Sequence, residues 1–185
     1  LAMVGDFEAA DAIFAGSAGT EIPPTRRVVI AHAEVLSQLE RNADALALIE
    51  QTFGAGSDPQ FAAVAQRRRA GETLAFDTIR TADDGLAEVF FTVASLLQGQ
   101  AADSITLIFA RTGEYLRPDD VDQTLLVASV LMSQQQFDLA TATFAKVPTG
   151  SPMFYAAEIG RSNALARADK TIGSALQAAP QVQIA

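Results

Sequence analysis

The chain has no cysteine and no tryptophan, one histidine and two tyrosines among its 185 residues. Without thiols there can be no disulfide and no thiolate metal site, and both a reducing and an oxidising compartment are permitted. With His32 as the only imidazole, a metal cluster of His and Cys cannot be assembled, and any Ser-His-Asp triad would have to be built around that one residue. There is no Gly-x-Ser-x-Gly elbow and no glycine-rich loop ending in Lys-Ser or Lys-Thr, so neither nucleophilic catalysis nor nucleotide binding has a basis in the sequence. Positive charge is scarce as well: 13 basic against 22 acidic residues give a net charge of -9. That balance works against binding a phosphate backbone, which needs Lys and Arg to release counterions. No uninterrupted apolar run approaches the roughly 18 residues of a membrane helix, and Leu1 to Ala15 lack the basic start of a secretory signal. The segment reads as soluble, in either cytoplasm or periplasm. Opening without Met on what resembles a helix end, it also reads as a piece of a longer protein.

What is present points to helices. Forty-nine per cent of residues are apolar and alanine recurs throughout; alanine is the best helix former, whereas strands enrich in β-branched and aromatic residues. Apolar positions recur at three-and-four spacing between turn signals, which predicts helices over Asp6–Ala15, Pro24–Leu39, Ala43–Phe53, Asp58–Ala70, Thr73–Thr81 and Gly85–Gln98. Further helices are predicted over Ala101–Leu116, Asp119–Ser133, Phe137–Lys146, Pro152–Arg167 and Thr171–Ala179. Several starts carry their own chemistry. Asp58 before Pro59 offers a side-chain cap and then a proline at the first helical position, as does Ser151 before Pro152. Pro118 ends one helix, and Asp119 or Asp120 can cap the next. Glycines at Gly54, Gly56, Gly71 and Gly113 mark helix ends and turns.

A repeat runs through this pattern. From Thr124 onward, Val127, Ala128, Leu131, Ala140, Phe144 and Pro152 fall at the offsets of a 34-residue helical hairpin, only the first position missing on size. Stepping back 34 residues from Pro152 reaches Pro118, with Phe90, Val93, Ala94, Leu97, Thr106 and Ala110 in the corresponding slots. Another frame from Val29 places Ala33, Leu36, Ala45 and Ile49 and ends at Ser57. The segment Gly5–Phe14 repeats the Phe, Ala and Phe of Gln135–Phe144. Small residues in such slots let two helix axes approach to roughly 8–10 Å. Ala33, Ala45, Ala94, Ala128 and Ala140 are the candidates for those crossing points.

On these residues the chain resembles the tetratricopeptide-repeat family over nearly its whole length. The resemblance implies an all-α, right-handed superhelical stack of antiparallel helix pairs, a single domain over 1–185 with units near 1–22, 23–57, 58–84, 85–118, 119–152 and 153–179. It also implies a protein-binding scaffold, not an enzyme, with no cofactor and no metal. The family lines its concave groove mainly with the first helix of each pair. That carries over to Arg27, Ile30, Glu34 and Gln38, to Glu88, Phe91, Ser95 and Gln98, to Asp122, Leu125, Ser129 and Met132, and to Asn163, with Ile159 beside it. A mixture of apolar anchors, amides, hydroxyls and acids suits a peptide or partner helix, with Phe91 and Met132 as anchors. The Lys and Asn set that grips a C-terminal carboxylate in chaperone-binding members is not visible. The alternatives are an accessory or regulatory segment of a larger enzyme or assembly, and a module that self-associates through exposed repeat ends. The Ala-rich, acidic, Cys-free character reads as bacterial.

Other constellations have plainer readings. His32, beside Ala33, reads as a partly buried structural histidine. Asp83-Asp84 and Asp119-Asp120 read as helix-start acids that meet orphan N–H groups and the positive dipole end. Arg67-Arg68-Arg69 reads as a solvated helix end, with a site for an acidic peptide or a salt-bridged junction as the sharper alternative.

Overall fold

A computed structural model describes residues 1–17, 25–53 and 58–178. Among them are nine α-helices, a short 3-10 turn at Ala2–Val4 and no strand. The chain divides into two compact units, residues 1–85 and residues 86 onward. The expected start at Pro24, the turn at Gly54 and Gly56, the frame end at Ser57 and the helix end at Ala179 lie outside the described residues.

The first unit holds α1 (Phe7–Ser17), α2 (Arg26–Gln38), α3 (Asn42–Phe53) and α4 (Pro59–Arg69), each packed on the next. Its core is Val29, Ala33, Leu36, Ala45, Ile49 and Phe61, with Ile30, Leu48 and Val64 packed around it. Asp58 caps α4 as expected, accepting from the N–H groups of Gln60 at 2.8 Å and Phe61 at 3.4 Å, with Pro59 at the first turn. The helix expected at Thr73–Thr81 does not form; residues 72–80 carry no regular secondary structure. Thr73, Thr78, Ile79 and Thr81 are β-branched, which weakens a helix. The segment's backbone is instead taken up by side chains of α2, as described below.

The second unit holds most of α5 (Ala82–Leu97), then α6 (Asp103–Leu116), α7 (Val121–Ser133), α8 (Phe137–Phe144) and α9 (Phe154–Ala178). α5 starts three residues before the expected Gly85. Thr81 and Asp84 explain this: the Asp84 N–H donates to Thr81 Oγ1 and the Thr81 N–H to Asp84 Oδ2, both at 3.1 Å, a reciprocal cap. Asp120 is the residue that caps α7, accepting from Asp122 N–H at 2.9 Å and Gln123 N–H at 3.2 Å. The last two predicted helices are one 25-residue helix, α9. Between Arg167 and Thr171 stand Ala, Asp and Lys, with no glycine or proline to break the ladder.

α6 packs on α7, α7 on α8 and α8 on α9 around Ala94, Ala110, Leu126, Val127, Ala128, Leu131, Ala140 and Phe144. Ala33, Ala45, Ala94, Ala128 and Ala140 are all completely buried, as close helix crossings require. Two glycines make the same point. A Cβ at Gly160 of α9 would lie 2.5 Å from the Phe144 ring of α8, and one at Gly113 of α6 would run into the Gln123 amide of α7.

Candidate functional site

Phe91 and Ser95 of α5 and Gln98 just after its end occupy positions i, i+4 and i+7; on α7, Leu125, Ser129 and Met132 repeat them 34 residues later. Residues at these offsets lie on one helix face. The structure brings the two sets together. Gln98 Nε2 donates to Ser129 Oγ at 2.7 Å, and Phe91, Leu125 and Met132 pack half-buried against the same core. Ser95, Gln98 and Ser129 are exposed. The result is an apolar floor whose side chains keep part of their surface in solvent, edged by hydroxyls and an amide.

The remaining groove candidates of this unit differ. Asp122 is only 8% exposed and sits in the first turn of α7, where the helix dipole favours its charge. Glu88 lies 3.7 Å from Arg117 Nη1, which also faces Asp120 at 3.7 Å, so its charge is engaged at the α6–α7 junction. Asn163 and Ile159 are exposed on α9.

In the first unit, Arg27 and Ile30 are half-buried, and Ile30 packs on the core. Glu34 and Gln38 are not an open groove, because residues 72–80 lie over them. The Leu74 N–H donates to Ser37 Oγ at 2.7 Å, Gln38 Nε2 donates to the Leu74 carbonyl, and the Thr78 N–H donates to Glu34 Oε2 at 3.0 Å. Burial, only partly offset by the hydrogen bonds from Thr78 and reinforced by the neighbouring Asp77 charge, pushes the Glu34 carboxyl up to about 7.

The arginine run is internally engaged. Arg67 pairs with Glu72 at 2.5 Å, Arg69 with Glu50 at 3.0 Å, and Arg68 donates to the Glu72 carbonyl. Arg68 is 3% exposed, so the picture of a solvated helix end fails for it. A salt-bridged junction describes the run better. His32 is structural in its surroundings: Nε2 lies 2.7 Å from Asp11 Oδ1, and the ring stacks on Phe14 with centroids 4.9 Å apart. Arg41 Nη1 reaches the other Asp11 oxygen at 2.5 Å. The His32 hydrogen bond, with Arg41 behind it and against the opposing effect of burial, holds the Asp11 carboxyl below its ordinary range.

One surface escaped the sequence. A cleft of about 710 Å³ on the second unit is lined by Leu107, Ile108, Arg111 and Tyr115 of α6 and by Gln134 and Gln136 after α7. Ile108 is 65% exposed and Tyr115 85% exposed. Their helical spacing looks like a core stripe, so periodicity alone does not reveal that it faces solvent. The other tyrosine, Tyr155, is 82% exposed. Among the described residues no helix is long and apolar enough to cross a membrane, and no group of three or more His, Cys, Asp or Glu could hold a metal ion. No family model matches the chain, no curated protein matches its sequence and no solved structure matches its fold.

Proposed function

We propose that this chain is a protein-binding module of the tetratricopeptide kind, which holds a peptide or a partner helix and carries no catalysis of its own. The observation that supports this reading is the pair of matched triplets on α5 and α7, joined by the Gln98–Ser129 hydrogen bond over an apolar floor. An extended peptide or an amphipathic helix is recognised in this way: apolar side chains anchor it, while polar groups at the edge satisfy its backbone or fix its register. The test places bulk and charge on two exposed positions beside the apolar floor. Ser95→Arg combined with Ser129→Arg should abolish capture of the partner from a cell extract, as read by mass spectrometry, while helical circular dichroism and melting stay unchanged. Capture of the same proteins by parent and double variant would refute the site.

A second reading, self-association, draws on α5 alone. Leu86, Val89 and Leu96 are 51%, 58% and 70% exposed at helical spacing. Sedimentation of the parent beside Val89→Glu distinguishes them: a mass that falls to the monomer in the variant favours this reading, and a monomeric parent ends it.

A further inference from the structure

The segment 72–80 is held on α2 chiefly as a peptide would be, by contacts to its main chain. Ser37 accepts from Leu74 N–H, Gln38 donates to Leu74 C=O, and four residues on Glu34 accepts from Thr78 N–H. The three α2 side chains run backward along the helix as the segment runs forward, so the two are antiparallel. Such contacts read an extended backbone and are indifferent to most side chains. One side chain is read, because Leu74 is 2% exposed whereas Ala75 and Asp77 point to solvent. Glu72 at the segment's start is clasped by Arg67 and Arg68. Beside the segment lies a cavity of about 230 Å³, lined by Phe76, Ile79 and apolar residues of the N-terminal turn and α1 such as Met3, Ile13 and Phe14. The segment's own Phe76 and Ile79 thus leave apolar space between themselves and α1.

We infer that Glu34, Ser37 and Gln38 form a peptide-recognition site occupied in cis by residues 72–80, and that its partner in trans is an extended peptide with a buried leucine, a larger apolar residue after it and an acidic residue two positions before the leucine. Larger apolar side chains at the positions of Phe76 or Ile79 give such a peptide its advantage over the resident segment, since the extra apolar surface removed from water against α1 adds to the same main-chain bonds. The tether favours the resident by effective concentration, so the site is self-masked until a better-fitting peptide arrives. This extends the peptide-binding reading to the first unit: the Ser95/Ser129 variant changes no residue there, so either proposal can fail alone.

The experiment uses the full chain and a labelled synthetic peptide with the sequence of residues 72–80. Leu74→Ser in the chain weakens the resident segment and should tighten peptide binding by about tenfold, roughly the consequence of 1.4 kcal/mol, as read by fluorescence anisotropy. The same peptide carrying Ser for its leucine should not bind. Equal affinity for parent and Leu74→Ser chains, or equal binding of both peptides, overturns the proposal. Amide exchange in the unmodified chain gives an answer that needs no variant. Leu74 and Thr78 amides should exchange faster than those of α2, by local opening. Exchange of both segments only together, at the rate of the core helices, would mean the segment never leaves its site, and the proposal falls.

Discussion

Replacing Glu34 by glutamine tests the electrostatics of the segment over α2. The carboxyl is raised from an ordinary 4.5 to about 7. Between those values the folded chain holds a proton that the unfolded chain has lost. The associated stability is therefore fully present below about pH 4.5 and is lost as pH rises through about 7. At about 1.36 kcal/mol per pH interval the ceiling is near 3 kcal/mol, and partial solvent contact reduces the expected effect to about 1–2 kcal/mol. Glu34→Gln keeps an oxygen for the Thr78 N–H and removes the ionisation. The assay is urea unfolding followed by circular dichroism from roughly pH 5.5 to pH 8. The parent should lose about 1–2 kcal/mol over that range relative to the variant, and the variant should be the more stable of the two at the alkaline end. Asp11, Glu72 and Glu158, whose carboxyls are lowered by side-chain hydrogen bonds with His32, Arg67 and Arg161, contribute at the acid edge below this window. Subtracting the variant removes whatever else titrates. Parallel pH profiles for parent and variant would refute the assignment of a buried, ionisation-opposing site to Glu34.

Other outcomes follow from packing and capping. Gly160→Ala puts a methyl 2.5 Å from the Phe144 ring and should cost about 1–3 kcal/mol by overpacking; thermal melting should show partial recovery when Phe144→Leu is added. Asp120→Ala removes the acceptor for two N–H groups of α7 and should cost about 1 kcal/mol, whereas Asp119→Ala, at the neighbouring exposed position, should cost clearly less in the same urea titration. Ile49→Ala empties a fully buried position of the first unit and should destabilise that unit by about 2–5 kcal/mol, read by amide exchange of α2 and α3.

How much of this was legible depends on whether local chemistry or distant partners decide. Asp58-Pro59 and Asp120 act within three residues of themselves, so their capping could be read directly. The five alanines were legible because a helix crossing admits little else. The 34-residue offset placed Phe91 with Leu125 and Ser95 with Ser129 before any contact was known. Residues 72–80 defeated the same reasoning. Leu74, Phe76 and Ile79 are apolar enough to suggest a helical face, but the segment's N–H and C=O groups go to Ser37, Gln38 and Glu34, some 40 residues away. Arg68 was illegible for a similar reason: its burial depends on Glu72 turning back over the end of α4. The unbroken α9 shows the opposite case, in which a turn was expected for the sake of the repeat where no residue demanded one.

The two tyrosines carry a consequence for spectroscopy. Tyr115 and Tyr155 are 85% and 82% exposed, both belong to the second unit, and tryptophan is absent. Intrinsic emission of the natural chain therefore has almost no environment to lose on unfolding, and the first unit contributes no phenol or indole at all. A single indole introduced at Phe61 or at Phe144 would shine against a dark background, and each would time the melting of its own unit alone.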